Sequence, residues 1–356
     1  MSEELDREIS RAIDARRGAL AEAITTRQYE LHPELAARYG PAGRQKCLED
    51  AGFHLSYLSE SIAASQPCLF ADYIAWAKVM LEGRGIPACD LARNLEIISD
   101  SLRRLLPEEM GAVASEYVES GLGQLSQLPA DLPTCIGHDN PLAHLARGYL
   151  NALLRGERHV ASRLILQAAA DGTSIRDIYL HVFQRCQHEI GRLWQMNLLS
   201  VAQEHYCTAA TQLIMSQLYP RIFETEKNGR TMVAMCVAGD LHEIGVRMVS
   251  DFFEMGGWDT FYLGANAPTA SVLELLGERE TDVLAVSATI TPHVRAVASL
   301  ISAVRSSEVG RSIKIIVGGY PFNIAPDLWR RVGADAGARD ALESVAVANQ
   351  LTAGGA

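Results

Sequence analysis

Residues 231–245 read TMVAMCVAGDLHEIG, a short, almost uninterrupted apolar run that closes on Gly239 and opens into Asp240, His242 and Gly245. Apolar runs of this length without alternation are strands buried on both faces of a parallel sheet. DTFYLG (259–264), DVLAVSATI (282–290) and IKIIVGG (313–319) have the same texture, and each is followed by a helical stretch. That alternation predicts a doubly wound α/β domain over 230–356. Ligands of such sheets lie beyond the carboxyl ends of the strands. The residues there are Asp240, His242 and Gly245 after the first run, Ser287 and Thr289 after the third, and Gly318 and Gly319 after the fourth.

Upstream the pattern is helical. Between 141 and 224, breaks at Gly156, at Gly172-Thr173-Ser174 and around Asn197–Ser200 divide the chain into four helices. Short connections of this kind favour an antiparallel bundle. Ser200 followed by Gln203 has the form of a capping box. From residue 1 to 125, stretches such as LFADYIAWAKVMLEGRG (69–85) and NLEIISDSLRRLL (94–106) repeat apolar residues at three- and four-residue steps. This predicts an all-helical N-terminal domain. The glycine- and proline-bearing stretch 121–141 has no strong period and places a linker at 126–140.

An imidazole on the loop after the first strand, with an acid two residues earlier, has the makings of a metal ligand held by a carboxylate. The ordinary alternative is a loop histidine beside a capping aspartate. The order Asp240-x-His242-x-x-Gly245, then Ser287-x-Thr289, then Gly318-Gly319 resembles the cobalamin-binding domain of methionine synthase and its relatives. The resemblance covers roughly 140–350 and implies a flavodoxin-like sheet beneath a four-helix cap. It implies that His242 ligates cobalt from below, with Asp240 and Ser287 behind it. The nucleotide tail would then lie beside Ser287, Thr289, Gly318 and Gly319.

Trp194, Glu204 and His205 can share one space where one cap helix ends and the next begins; core packing and helix-end preference are the plain alternatives. The spacing resembles the CarH-type light sensors, in which a tryptophan and an acid surround the adenosyl group of adenosylcobalamin. Gln195 stands where that family has a histidine directly after the tryptophan, so either His188 or His205 substitutes for it or the photoproduct is water-ligated. A helical domain ahead of such a module resembles the photocobilins, which hold cobalamin and biliverdin. That implies a globin-like or similar pocket using Arg44, His54 and Tyr57, with Cys47, Cys68 and Cys89 as the available thiols. Aromatic packing in a dimerisation domain is the other reading of the same residues.

The chain has 356 residues, 32 basic against 43 acidic, and a formal charge of −11. That balance weighs against direct DNA binding and anionic-membrane binding, both of which need a basic surface. No apolar run is long enough to span a bilayer, and seven scattered cysteines without a CxxC pair fit a reducing cytoplasm. The resulting expectation is a cytoplasmic, non-enzymatic photoreceptor. It would form a homo-oligomer, a dimer or larger, with light-dependent assembly, and signal to a downstream protein. The alternative is a corrinoid methyl-carrier protein of a methyltransferase system.

Overall fold

The computed structural model describes residues 3–125 and 132–353, so 126–131 of the expected linker lie outside the described residues. The chain divides into two units. Within the described residues, the first gathers 3–125 with Ile290–Ala298 and Tyr320–Val332, and the second comprises 132–289, 299–319 and 333–353.

In the first unit, apolar periodicity becomes five helices: α1 (Glu3–Leu31), α2 (Glu34–Ala63), α3 (Pro67–Glu82), α4 (Ala88–Leu105) and α5 (Glu108–Leu125). Ile9, Ile13, Leu20 and Ile24 of α1 share a stripe, as three- and four-residue steps require. They are buried with Leu55 and Leu58, Phe70 and Ile74, Ile98 and Leu102, and Val118. Gly121 and Gly123 lie inside α5, because neighbouring helical packing overrides the weak propensity of single glycines. Buried Glu60 accepts from Arg295 Nε at 2.6 Å, while other nitrogens of the same guanidinium lie 2.7 Å from Asp14 and 3.0 Å from Ser10 Oγ.

The residues expected to hold a bilin are engaged by this unit's own side chains. His54 is buried, its Nδ1 lies 2.9 Å from the Tyr73 hydroxyl, and burial pushes its pKa down to about 4. Tyr57 stacks on Tyr73 with centroids 3.7 Å apart, and Arg44 pairs with Glu22 at 2.6 Å. Five helices stand here among the described residues, where a globin packs eight. The biliverdin expectation is therefore corrected: aromatic packing accounts for His54 and Tyr57, and an ion pair for Arg44.

The second unit begins with the helical cap. Its helices are α6 (Ala143–Leu154), α7 (Arg158–Ala170), α8 (Ile175–Ile178), α9 (Gln184–Gln195), α10 (Val201–Gln217) and the short α11 (Tyr219–Ile222). A π-helical turn, Tyr179–Phe183, joins α8 to α9, making one continuous rod and giving the four long cap segments expected. Ser200 caps α10 with Gln203 in a reciprocal box.

Five parallel strands follow: β1 (Thr231–Cys236), β2 (Asp259–Gly264), β3 (Val283–Ser287), β4 (Lys314–Gly318) and β5 (Ala336–Gly337), in the order β2-β1-β3-β4-β5. Helices α12 (Ile244–Glu254), α13 (Thr269–Glu278), α14 (Val294–Ser306), α15 (Tyr320–Ile324), α16 (Leu328–Arg331) and α17 (Ala341–Ala353) complete the chain. This is the doubly wound architecture read from the apolar runs, in the flavodoxin-like strand order that the resemblance implied. Cap and sheet share a core, in which Met248 and Phe252 of α12 pack with Tyr149, Tyr179, Phe183 and Ile214 of the cap. Tyr179 also donates to the buried Asp251 carboxylate at 2.7 Å.

Candidate functional site

The strand order reverses direction at β1, whose neighbours β2 and β3 leave it on opposite sides. A doubly wound sheet opens its ligand crevice at that switch point, beyond the carboxyl ends of the strands. The loop after β1 supplies one wall. Gly239 takes φ 88°, a left-handed conformation that glycine adopts without steric cost, and the chain turns back so that Asp240 N–H bonds to Val237 O at 3.1 Å.

Asp240 is thereby placed fully out of solvent. Its Oδ1 accepts from the His242 backbone N–H at 3.0 Å and lies 2.8 Å from His242 Nδ1. Its Oδ2 accepts from Thr289 N–H at 2.5 Å. The hydrogen bond to Asp240 raises the His242 pKa, with the Asp240 and Glu204 charges adding to it against partial burial. The imidazole is 63% exposed, so with Nδ1 held by Asp240, Nε2 is the nitrogen presented outward. A carboxylate-backed imidazole of this kind is oriented and made more basic for a metal. Among the described residues no group of three or more His, Cys, Asp or Glu side chains is placed to hold a metal ion.

The opposite wall is built from the ends of β3 and β4. Ser287 pairs in register with Cys236 on one side and Gly318 on the other. Ala288 N–H donates to Gly318 O at 3.1 Å. Gly319 has φ 103°, and a Cβ added there would fall 2.7 Å from the Ala288 carbonyl carbon and closer still to its oxygen. A Cβ at Gly318 would sit 3.1 Å from Ala338 O. The paired glycines thus let the end of β4 pack closely against the Ala288 and Ala338 backbone. Gly245 differs: a Cβ there meets nothing within 4 Å, so no protein neighbour demands its small size.

The cap contributes α10. Gln212 donates to Glu243 at 3.0 Å, tying α10 to the residue after His242. Glu204 stands in the first turn of α10, and its Oε2 lies 2.6 Å from His205 Nδ1. Trp194 packs against the cap core, whereas Gln195 and His188 diverge, the first buried and the second exposed. The sequence reading missed Thr208, Gln187 and Thr211, which continue inward from Glu204 by hydrogen bonds. Their signal was available: Glu204, Thr208 and Thr211 are polar at steps of four and three along one helix face.

A family model described as a B12 binding domain matches residues 230–346, and a second B12 binding domain model matches 145–219. Dimethylamine corrinoid protein 2 of Methanosarcina acetivorans is 29% identical over 167 residues, covering 47% of this chain and 74% of that protein. Dimethylamine corrinoid protein 1 of Methanosarcina mazei is 28% identical over 167 residues, with the same coverage of 47% and 74%. The structure of the Methanosarcina barkeri monomethylamine corrinoid protein superposes with a TM-score of 0.54 at 21% identity, covering 59% of this chain and all of that one; it supports the fold.

These relatives overturn the resemblance to CarH-type sensors and photocobilins. They are corrinoid proteins named for methylamines, and the light-sensing reading falls with its adenosyl enclosure, light-dependent homo-oligomer and downstream signalling protein. The physical reason is that Trp194, Glu204 and His205 are not by themselves specific to an adenosyl group. A tryptophan against a cap core and an acid in a first helical turn also occur for packing and dipole reasons. No described helix is long and apolar enough to cross a membrane. The two domain matches and the corrinoid relatives together support cobalamin or corrinoid binding by the second unit of this chain.

Proposed function

We propose that this chain is a corrinoid methyl carrier that works with a methyltransferase. The observation that carries the reading is the Thr289–Asp240–His242 hydrogen-bond relay at the switch point. The chemistry of the donors fits a corrinoid cobalt: one outward imidazole nitrogen, fixed by a buried carboxylate, facing an open space. Gly318 and Gly319, at the carboxyl end of β4, add no side chain to that edge of the sheet. When bound, the corrinoid supplies a cobalt that accepts a methyl group from one protein and yields it to another.

The chain's own residues do the rest. His242 would hold the cobalt through Nε2, and Asp240 would fix its tautomer by holding Nδ1. Ser287, Thr289, Gly318 and Gly319 line the tail slot, and Gly245 leaves room at the start of α12. Trp194, Glu204 and His205 form the upper side. We assign 141–224 as the cap and 230–356 as the corrinoid-binding domain, with 1–125 a helical N-terminal domain. The protein is a carrier rather than a catalyst, and its seven free thiols suit a reducing cytoplasm. The test is to load the full chain with cobalamin, reduce it, and add dimethylamine with a methanogen dimethylamine methyltransferase. The reading expects the absorbance of an alkylated corrinoid to appear on the chain. Failure of the absorbance to change with dimethylamine, and likewise with monomethylamine and its methyltransferase, refutes it.

A further inference from the structure

Two of the strand ends that build the site lead directly into the first unit. After β3 the chain gives the Thr289 N–H to Asp240, and Ile290–Ala298, which follow, belong to the first unit. After β4 it passes Gly318 and Gly319, and Tyr320–Val332 again belong to the first unit. Side chains of the N-terminal helices hold both returning segments. Tyr320 donates its hydroxyl to Asp72 of α3 at 3.2 Å, and Arg331 lies 3.5 Å from Glu3 of α1.

The segment after β3 is held at Arg295. Glu60 of α2 is buried, and its carboxylate takes this residue twice: Oε1 accepts from Nε at 2.6 Å, and Oε2 accepts from the backbone N–H at 3.3 Å. That N–H is one of the donors that the first turn of α14 leaves without a helical partner, and an acid there is favoured by the helix dipole. The other guanidinium nitrogens reach Ser10 Oγ at 3.0 Å and Asp14 at 2.7 Å. Withdrawing Arg295 would strand a buried carboxylate, which is destabilising. From Arg295 back to Thr289 the chain is a single tight turn, Thr291–His293, closed by His293 N–H to Ile290 O at 3.0 Å and stiffened by Pro292. A link this short and stiff carries the position of Arg295 to Thr289.

We propose that the N-terminal helical domain is a positioning element for the site: Glu60, through Arg295, fixes the segment that carries the Thr289 N–H, and thereby the Asp240 carboxylate that orients His242. The inference rests on the corrinoid reading for the use made of His242, and goes beyond it by giving the N-terminal domain a task. Thr289 N–H donates to Oδ2 of Asp240 while the His242 ring and backbone sit on Oδ1. A drift of Thr289 therefore lets the carboxylate turn, and the imidazole turns with it. Outer partners of a metal-binding histidine act in this way, by setting the ring's orientation.

The experiment follows the Thr289 amide of the full chain by hydrogen exchange. A second readout, after loading with cobalamin and one-electron reduction, is the share of the electron paramagnetic resonance signal split by a histidine nitrogen. Arg295→Met should speed Thr289 exchange at least about tenfold, as expected when a charge-assisted hydrogen bond is lost, and should lower the histidine-split share. That variant also unsettles the first unit, so Arg295→Met combined with Glu60→Gln is the deciding one. With the buried charge gone, α1 and α2 should return to wild-type exchange, while Thr289 stays fast and the split share stays low. A pair that only stabilises its own unit predicts that Thr289 recovers together with α1 and α2. Recovery of Thr289 in the double variant, an unaltered histidine-split share, or α1 and α2 that stay fast overturns the proposal. Wild-type protein showing no histidine splitting overturns the corrinoid reading instead, and Thr289 exchange then decides the positioning by itself.

Discussion

Replacing Gly319 by alanine should disable the site through its backbone, and the structure gives the size of the effect. At φ 103° a residue with a Cβ carries strain of about 1–3 kcal/mol. The new atom would also collide with the Ala288 carbonyl, so that peptide plane must move. The same peptide carries the Thr289 N–H that donates to Asp240, and Ala288 N–H itself donates to Gly318. Disturbing these bonds adds about 1 kcal/mol for the neutral one and about 1.5–3 kcal/mol for the one to a carboxylate. A total of about 3.5–7 kcal/mol is expected. Gly318→Ala is the control, because its Cβ would stand 3.1 Å from Ala338 O and needs only a small adjustment costing about 1 kcal/mol. Hydrogen exchange of β1, β3 and β4 measures the local stability. The spectrum of the hydroxocobalamin-loaded protein reports whether His242 still reaches cobalt. If Gly319→Ala exchanges like Gly318→Ala and keeps the wild-type spectrum, the route from Gly319 through Thr289 and Asp240 to His242 is wrong.

Two further outcomes concern the frame around the site. Burial raises the Asp251 carboxyl to about 6, against an ordinary 3.8. The folded state then holds the proton more tightly than the unfolded state, so stability is greatest below the ordinary value and is lost as pH rises through about 6. Thermal unfolding of the second unit should weaken by about 3 kcal/mol across that window, while Asp251→Asn should lack this slope; parallel pH profiles would contradict the account. In the first unit, Arg295→Met leaves buried Glu60 without its cation and should destabilise by about 2 kcal/mol, discounted from a fully buried pair because Arg295 is partly exposed. Adding Glu60→Gln should recover most of the loss, and faster exchange of α1 and α2 that persists in the double variant would argue against this pairing.

The site's lower half was legible because it lies on strand ends, where a few residue types must recur in a fixed order. Asp240, His242, Ser287 and the glycine pair follow short apolar runs that no helix pattern imitates. The cap was legible through its punctuation, as with the Ser200–Gln203 box. Strand β5 was missed because two residues, Ala336 and Gly337, show no period. The inclusion of Ile290–Ala298 and Tyr320–Val332 in the first unit was missed for another reason. Arg295 meets Glu60 across 235 residues of chain, and nothing local to either announces the pair. The upper wall misled because a tryptophan and an acid near a helix hairpin have several uses.

The central claim is that His242 Nε2 is the protein's ligand to cobalt. The direct measurement is electron paramagnetic resonance of the cobalamin-loaded, one-electron-reduced protein, prepared with ordinary and with nitrogen-15-labelled histidine. The account predicts that the superhyperfine splitting from the axial nitrogen changes from a triplet to a doublet on labelling, and that His242→Ala abolishes the histidine splitting. A splitting that ignores the label would mean that no histidine binds the cobalt, and would contradict the account at its base.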